Sequence, residues 1–124
     1  MHETQKEIVN DFLRSLDLGF SEVEGDFVSL NLEGAGTFFI EGTNDGLVVS
    51  LATTTHNAEI NERIVKGLIN LNPERQTLPV QLGLLGQRAL VFSVHLDEFE
   101  TDIPSLKEAM DTTLALARET WDMT

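Results

Sequence analysis

Catalysis needs side chains that can hold a metal, move a proton or attack a carbonyl, and this sequence places few of them usefully. The three histidines, His2, His56 and His95, are scattered. None falls in a His-Glu-x-x-His pattern or beside a second ligand at metal-binding spacing. His95 stands between Val94 and Leu96, on the opposite parity of an alternating run, and reads as a solvent-facing or edge side chain. There is no cysteine, hence no thiol nucleophile, and no Gly-x-Ser-x-Gly elbow. Gly34-Ala35-Gly36 is a fragment of a dinucleotide fingerprint, but no helix start follows it to receive a phosphate, so it reads as a turn.

Carboxylates are the one abundant reactive group. Asp97-Glu98-Phe99-Glu100-Thr101-Asp102 concentrates four of them. It lacks the Asp-x-Asp-x-Asp-Gly order and the twelfth-position glutamate of a calcium loop, and is better explained as complementing the positive end of the helix that follows. Across the chain 21 acidic residues face 8 basic ones, a net charge of −13. No pair stands out for acid–base work. The charge argues against nucleic acid, whose binding needs a basic face, and against anionic membranes; it fits neutral or basic partners. DNA mimicry is the minor alternative, disfavoured by the full apolar pattern. These residues point to a binding protein, not an enzyme, with no cofactor and no metal.

At 124 residues with 41% apolar content the chain is expected to form one domain, 1–124, with one core. Seven Phe, one Trp and no Tyr leave that core mainly to Leu, Val and Ile. The absence of cysteine favours a reducing compartment. The N-terminal residues do not resemble a signal peptide, and no apolar run approaches the ~18 residues of a membrane span. A cytoplasmic protein is expected, with no membrane insertion.

Periodicity places the elements. Ile8, Val9, Phe12, Leu13 and Leu16 recur at helical spacing, predicting a helix over Thr4–Leu18 with Thr4 and Glu7 as a capping box and Gly19 as its stop. Val28, Leu30 and Leu32 alternate with Ser29 and Asn31 in a strand beginning near Asp26. Thr37–Glu41 and Leu47–Thr53 follow, joined through Gly42-Thr43-Asn44-Asp45-Gly46, and the three strands read as an antiparallel meander. Asn57 can cap a middle helix that Pro73 ends. Strands over Pro79–Leu84 and Arg88–Leu96 come next, then a final helix capped by Asp102, with Leu106, Met110, Leu114, Ala117 and Trp121 on one stripe. The order is α-β-β-β-α-β-β-α: an α+β fold with an antiparallel sheet and three helices.

Two features exceed what one core needs. In the middle helix Ile60, Leu71, Ile64, Leu68, Val65 and Ile69 spread over roughly 180°, against the ~100° stripe of an ordinary amphipathic helix. Either the helix is deeply buried in one chain, or it lies at a subunit interface, with Ile60, Ile64, Leu68 and Leu71 as contacts. Phe27, Phe39, Val48 and Val91 also fall on the strand face opposite the regular core set, with Val9 and Leu13 expected near its rim. Either the middle helix partly closes that face, or it is an exposed patch for a partner.

The element order, length and acidity together resemble the class I type III secretion chaperones of the CesT (Tir chaperone) family. The best local similarity is Leu82-Gly83-Leu84-Leu85-Gly86-Gln87-Arg88-Ala89-Leu90-Val91-Phe92-Ser93-Val94-His95-Leu96, which looks like that family's last hairpin. The acidic linker and late Trp121 continue the likeness, and the opening helix, ending at Leu18-Gly19-Phe20, is similar too. The resemblance implies a homodimer joined through the middle helix. It also implies a client: the N-terminal segment of a secreted effector, kept soluble and export-competent. The apolar content of the second strand face makes Phe27, Phe39, Val48 and Val91, with Val9 and Leu13 near the rim, its expected anchors. Gly67 within the middle helix and the short 72–78 loop depart from the family pattern. YbjN-like proteins share the fold order outside any secretion system and are the alternative.

Overall fold

A computed structural model of the chain describes residues 1, 3–16, 25–32, 36–54, 80–85, 89–99 and 101–122. Within them lie helix α1 (Glu3–Ser15), strands β1 (Phe27–Leu32), β2 (Gly36–Thr43), β3 (Gly46–Thr54), β4 (Gln81–Leu85) and β5 (Ala89–Asp97), and helix α2 (Ile103–Asp122). The middle helix expected between β3 and β4 lies outside the described residues, as does the Gly19 stop.

The strands form one antiparallel sheet in the order β1-β2-β3-β5-β4. The first three are the expected meander. β2 runs two residues past Glu41, which leaves Asn44-Asp45 as a tight two-residue turn. The last two strands pair as a hairpin whose second member, β5, docks on β3, with Leu51 opposite Phe92 and Val49 opposite Val94. β1 and β4 are therefore the edges. At the entry to β2, Gly36 has φ 132, and a Cβ there would fall 2.1 Å from the Ala52 carbonyl oxygen. Only glycine lets β2 start this close to β3.

Strand parity fixes the core. Leu30, Phe38, Ile40, Leu47, Val49, Leu51, Leu90, Phe92, Val94 and Leu96 point to one face and are all buried. Both described helices contribute to this cluster. In α1, Val9, Phe12 and Leu13 form the buried stripe, while Arg14 pairs with Asp11 at 2.9 Å on the outside. The helix already includes Glu3, so Thr4 stands inside its first turn and not at the cap. In α2, the Asp102 carboxylate accepts the Ser105 backbone N–H at 2.8 Å, the expected N-cap, and Pro104 sits in the first turn, where a missing N–H costs nothing.

The buried stripe of α2 is Leu106, Ala109, Met110, Thr113, Leu116 and Ala117. Two alanines and a threonine on this stripe let the helix lie close to β3 and β5. Thr113 remains satisfied because its hydroxyl donates to the Ala109 and Met110 carbonyls, each at 3.0 Å. Leu114, expected on the stripe, is only partly buried at its flank.

Candidate functional site

Because α1 and α2 pack on one side of the sheet, the other side carries the remaining parity. Read across the strands, the register gives three rows on this second face. Phe27, Glu41, Val48 and His95 form the first; Ser29, Phe39, Ser50, Ser93 and Gln81 the second; Asn31, Thr37, Ala52, Val91 and Gly83 the third. Phe27, Phe39, Val48 and Val91 thus stand together on one surface. Phe27 is 48% exposed, and the other three are half-buried.

An aromatic cluster marks one side. The Phe27 and Phe39 rings lie 5.7 Å apart at an interplanar angle of 34°, the diagonal neighbours of an antiparallel pair. Small side chains fill the middle, where the Ser50 and Ser93 hydroxyls hydrogen-bond at 2.9 Å and Ala52 and Val91 stand opposite each other. Toward β1, Thr37 donates to the Asn31 side-chain oxygen at 3.1 Å. The surface is an apolar strip interrupted by hydroxyls that largely satisfy one another. Phe27, Phe39, Val48 and Val91 give it exposed or half-buried apolar positions, and among the described residues it brings together no catalytic group.

At the near end, the half-exposed His95 side chain points its Nε2 at Asp45 Oδ1, 3.3 Å away. The Thr43 hydroxyl, donating at 3.1 Å, is the main cause holding the Asp45 carboxyl below its usual pKa; desolvation opposes it, and His95 adds a lesser lowering effect. Among the described residues no group of three His, Cys, Asp or Glu side chains is placed to hold a metal ion.

Two anchors expected at the rim are not there. Val9 and Leu13 are 0% and 1% exposed and belong to the core cluster under the first face. Helical spacing groups them correctly, but the stripe docks on the side of the sheet away from the second face. The interface candidates Ile60, Ile64, Leu68 and Leu71 lie outside the described residues. Conversely, the small residues of the face, Ser50, Ser93, Ala52 and Thr37, were not singled out from sequence. Their signal is parity alone, since they occupy the same alternating positions as Phe39, Val48 and Val91.

Residues 5–121 match the family model described as type III secretory system chaperone SycN. The chain belongs to this family. It is 28% identical over 113 residues to the chaperone protein SycN of Yersinia enterocolitica, covering 90% of this chain and 92% of the relative. In fold it is similar to a chain in the structure of the HopA1-SchA chaperone-effector complex, with a TM-score of 0.72, 16% identity and 98% of each chain covered. It is also similar to E. coli YbjN, with a TM-score of 0.62, 10% identity, and 92% of this chain and 86% of that chain covered. Fold alone therefore does not separate secretion chaperones from YbjN-like proteins. The family match over nearly the whole chain does, in favour of the chaperones. Among the described residues no helix is long and apolar enough to cross a membrane.

Proposed function

We propose that this type III secretion chaperone binds the N-terminal segment of a secreted effector in the bacterial cytoplasm and keeps it soluble and competent for export. The observation that carries this reading is the second sheet face, where Phe27, Phe39, Val48 and Val91 stand in register without cover from α1 or α2. Its partial exposure suits apolar side chains of an extended segment, which a folded client would keep inside its own core. The fold likeness to a chain of a chaperone–effector complex supports the same reading.

The proposed assembly is a homodimer joined through Ile60, Ile64, Leu68 and Leu71, resting on the wide apolar arc of that segment. The test of the client surface is paired. Phe39→Ser should weaken binding of an effector N-terminal segment, measured by calorimetry, while the free protein stays folded and melts above the Phe38→Ser variant. Unchanged affinity would overturn the proposed surface.

A further inference from the structure

The sheet has two edges, and β4 is the less protected. Its residues, Gln81–Leu85, include no charged side chain and no proline, the usual guards against pairing with another chain. Among the described residues β5 is its one strand neighbour, so the N–H and C=O of every second residue point away from the sheet. Leu82 and Leu84 stand opposite Phe92 and Leu90 and share the parity of the core face. However, α2 packs over β3 and β5 and leaves β4 at the margin. Leu82 is only partly buried there, and Leu84 is 55% exposed.

Charge indicates which partner can approach. The chain has 21 acidic residues, yet residues 75–96, which include β4, contain none, and no other stretch without a carboxylate is as long. Two copies that repel each other elsewhere meet least opposition here. The strand also matches itself. Antiparallel pairing about Gly83 sets Leu82 opposite the partner's Leu84, and Leu84 opposite the partner's Leu82, all on the core-face side. The other edge fits worse. β1 lies between Asp26 and Glu33 in sequence, so the same pairing about its centre brings Asp26 toward the partner's Glu33. Asp26 is in any case engaged by the Met1 ammonium.

We propose that the outer edge of β4 pairs with β4 of a second copy, joining two sheets across a two-fold axis. This deepens the homodimer reading, on which it rests, with a contact separate from Ile60, Ile64, Leu68 and Leu71. Backbone hydrogen bonds tie the strands together, and the two leucine pairs cover the surface that Leu84 exposes in one chain.

The test follows the full ¹⁵N-labelled chain by sedimentation and by amide hydrogen exchange. Wild type should be a dimer in which the outward-facing amides of Gln81–Leu85 exchange slowly and speed up on dilution. Leu84→Lys, at an exposed position, should leave the chain folded, weaken self-association by about tenfold or more, and release those amides. A dimer whose outward β4 amides exchange as at an open edge, or wild-type association in Leu84→Lys, would overturn the edge pairing and leave the contact through Leu68 standing. A monomeric wild type would overturn both. Protection that persists in the monomer would give the edge to another part of this chain, and protection that appears only with an effector segment would give it to the client; either result sinks the proposal.

Discussion

Phe38 and Phe39 are consecutive residues on β2 with opposite fates, and together they test whether the second face is open. Phe38 is 1% exposed, flanked in register by Leu30 and Leu51. Truncating a buried Phe typically costs ~3–5 kcal/mol from lost transfer energy and the cavity left behind, much of the ~5–15 kcal/mol that holds a domain together. Phe39 is half-buried, and its identified packing partner among the described residues is the Phe27 ring at 5.7 Å. Such a pair contributes about 0.5–1.5 kcal/mol beyond area burial, and half-burial of the ring adds about 1 kcal/mol, so Phe39→Ser should cost about 2 kcal/mol where Phe38→Ser costs about 3–5. Urea unfolding of each free variant gives both values, provided the slope stays constant. Binding should rank them the other way. If Phe39 is a central anchor, its loss costs about 2 kcal/mol of affinity, roughly thirtyfold. A Phe39 variant as unstable as the Phe38 variant would refute the reasoning, because that cost arises only if Phe39 is packed inside the free protein.

Three further outcomes follow from the geometry. Gly36→Ala should destabilise the fold by at least ~2 kcal/mol, because its Cβ meets the Ala52 carbonyl and its φ is left-handed, while Gly83→Ala, with nothing within 4 Å, should be near neutral; comparative thermal melts decide. Asp102→Ala should cost about 1 kcal/mol at neutral pH through loss of the α2 cap. The Ser105 hydroxyl and then its backbone N–H lower the Asp102 pKa, so the cap's charged contribution is complete above the ordinary carboxylate value and fades as pH falls through the lowered one; the gap between variant and wild type should narrow there. Light scattering at micromolar concentration should return about twice the 13.8 kDa chain mass, and Leu68→Asp should halve it by burying an unpaired charge; a monomeric wild type would remove the homodimer.

Local rules made much of this fold legible. Alternation in Val28-Ser29-Leu30-Asn31-Leu32 and in β5 sets strand, face and core at once, since the side-chain period of a strand leaves no third direction. The Asp102 cap and the α1 stripe were equally plain. Facts about pairing between distant segments were not. Nothing local says that β5 enters the sheet beside β3 and pushes β4 to the edge, because that choice depends on how two finished hairpin faces fit. The same gap explains Val9 and Leu13, whose spacing says that they act together but not on which side of the sheet.

The make-up of the second face bears on how the proposed client surface stays exposed in the free protein. A surface of Phe27, Phe39, Val48 and Val91 with nothing between them would be a continuous apolar patch and an aggregation hazard. Here Ser29, Ser50, Ser93 and Thr37 occupy intervening register positions, and the Ser50–Ser93 and Thr37–Asn31 hydrogen bonds give Ser50, Ser93 and Thr37 partners within the chain. A client covering them does not strand their hydroxyls, so covering this face costs less than burying unpaired polar groups would. Apolar anchors from the client would then supply the gain. Such a face favours side-chain size and spacing over particular hydrogen bonds, a loose specificity suited to an extended segment that is later released for export.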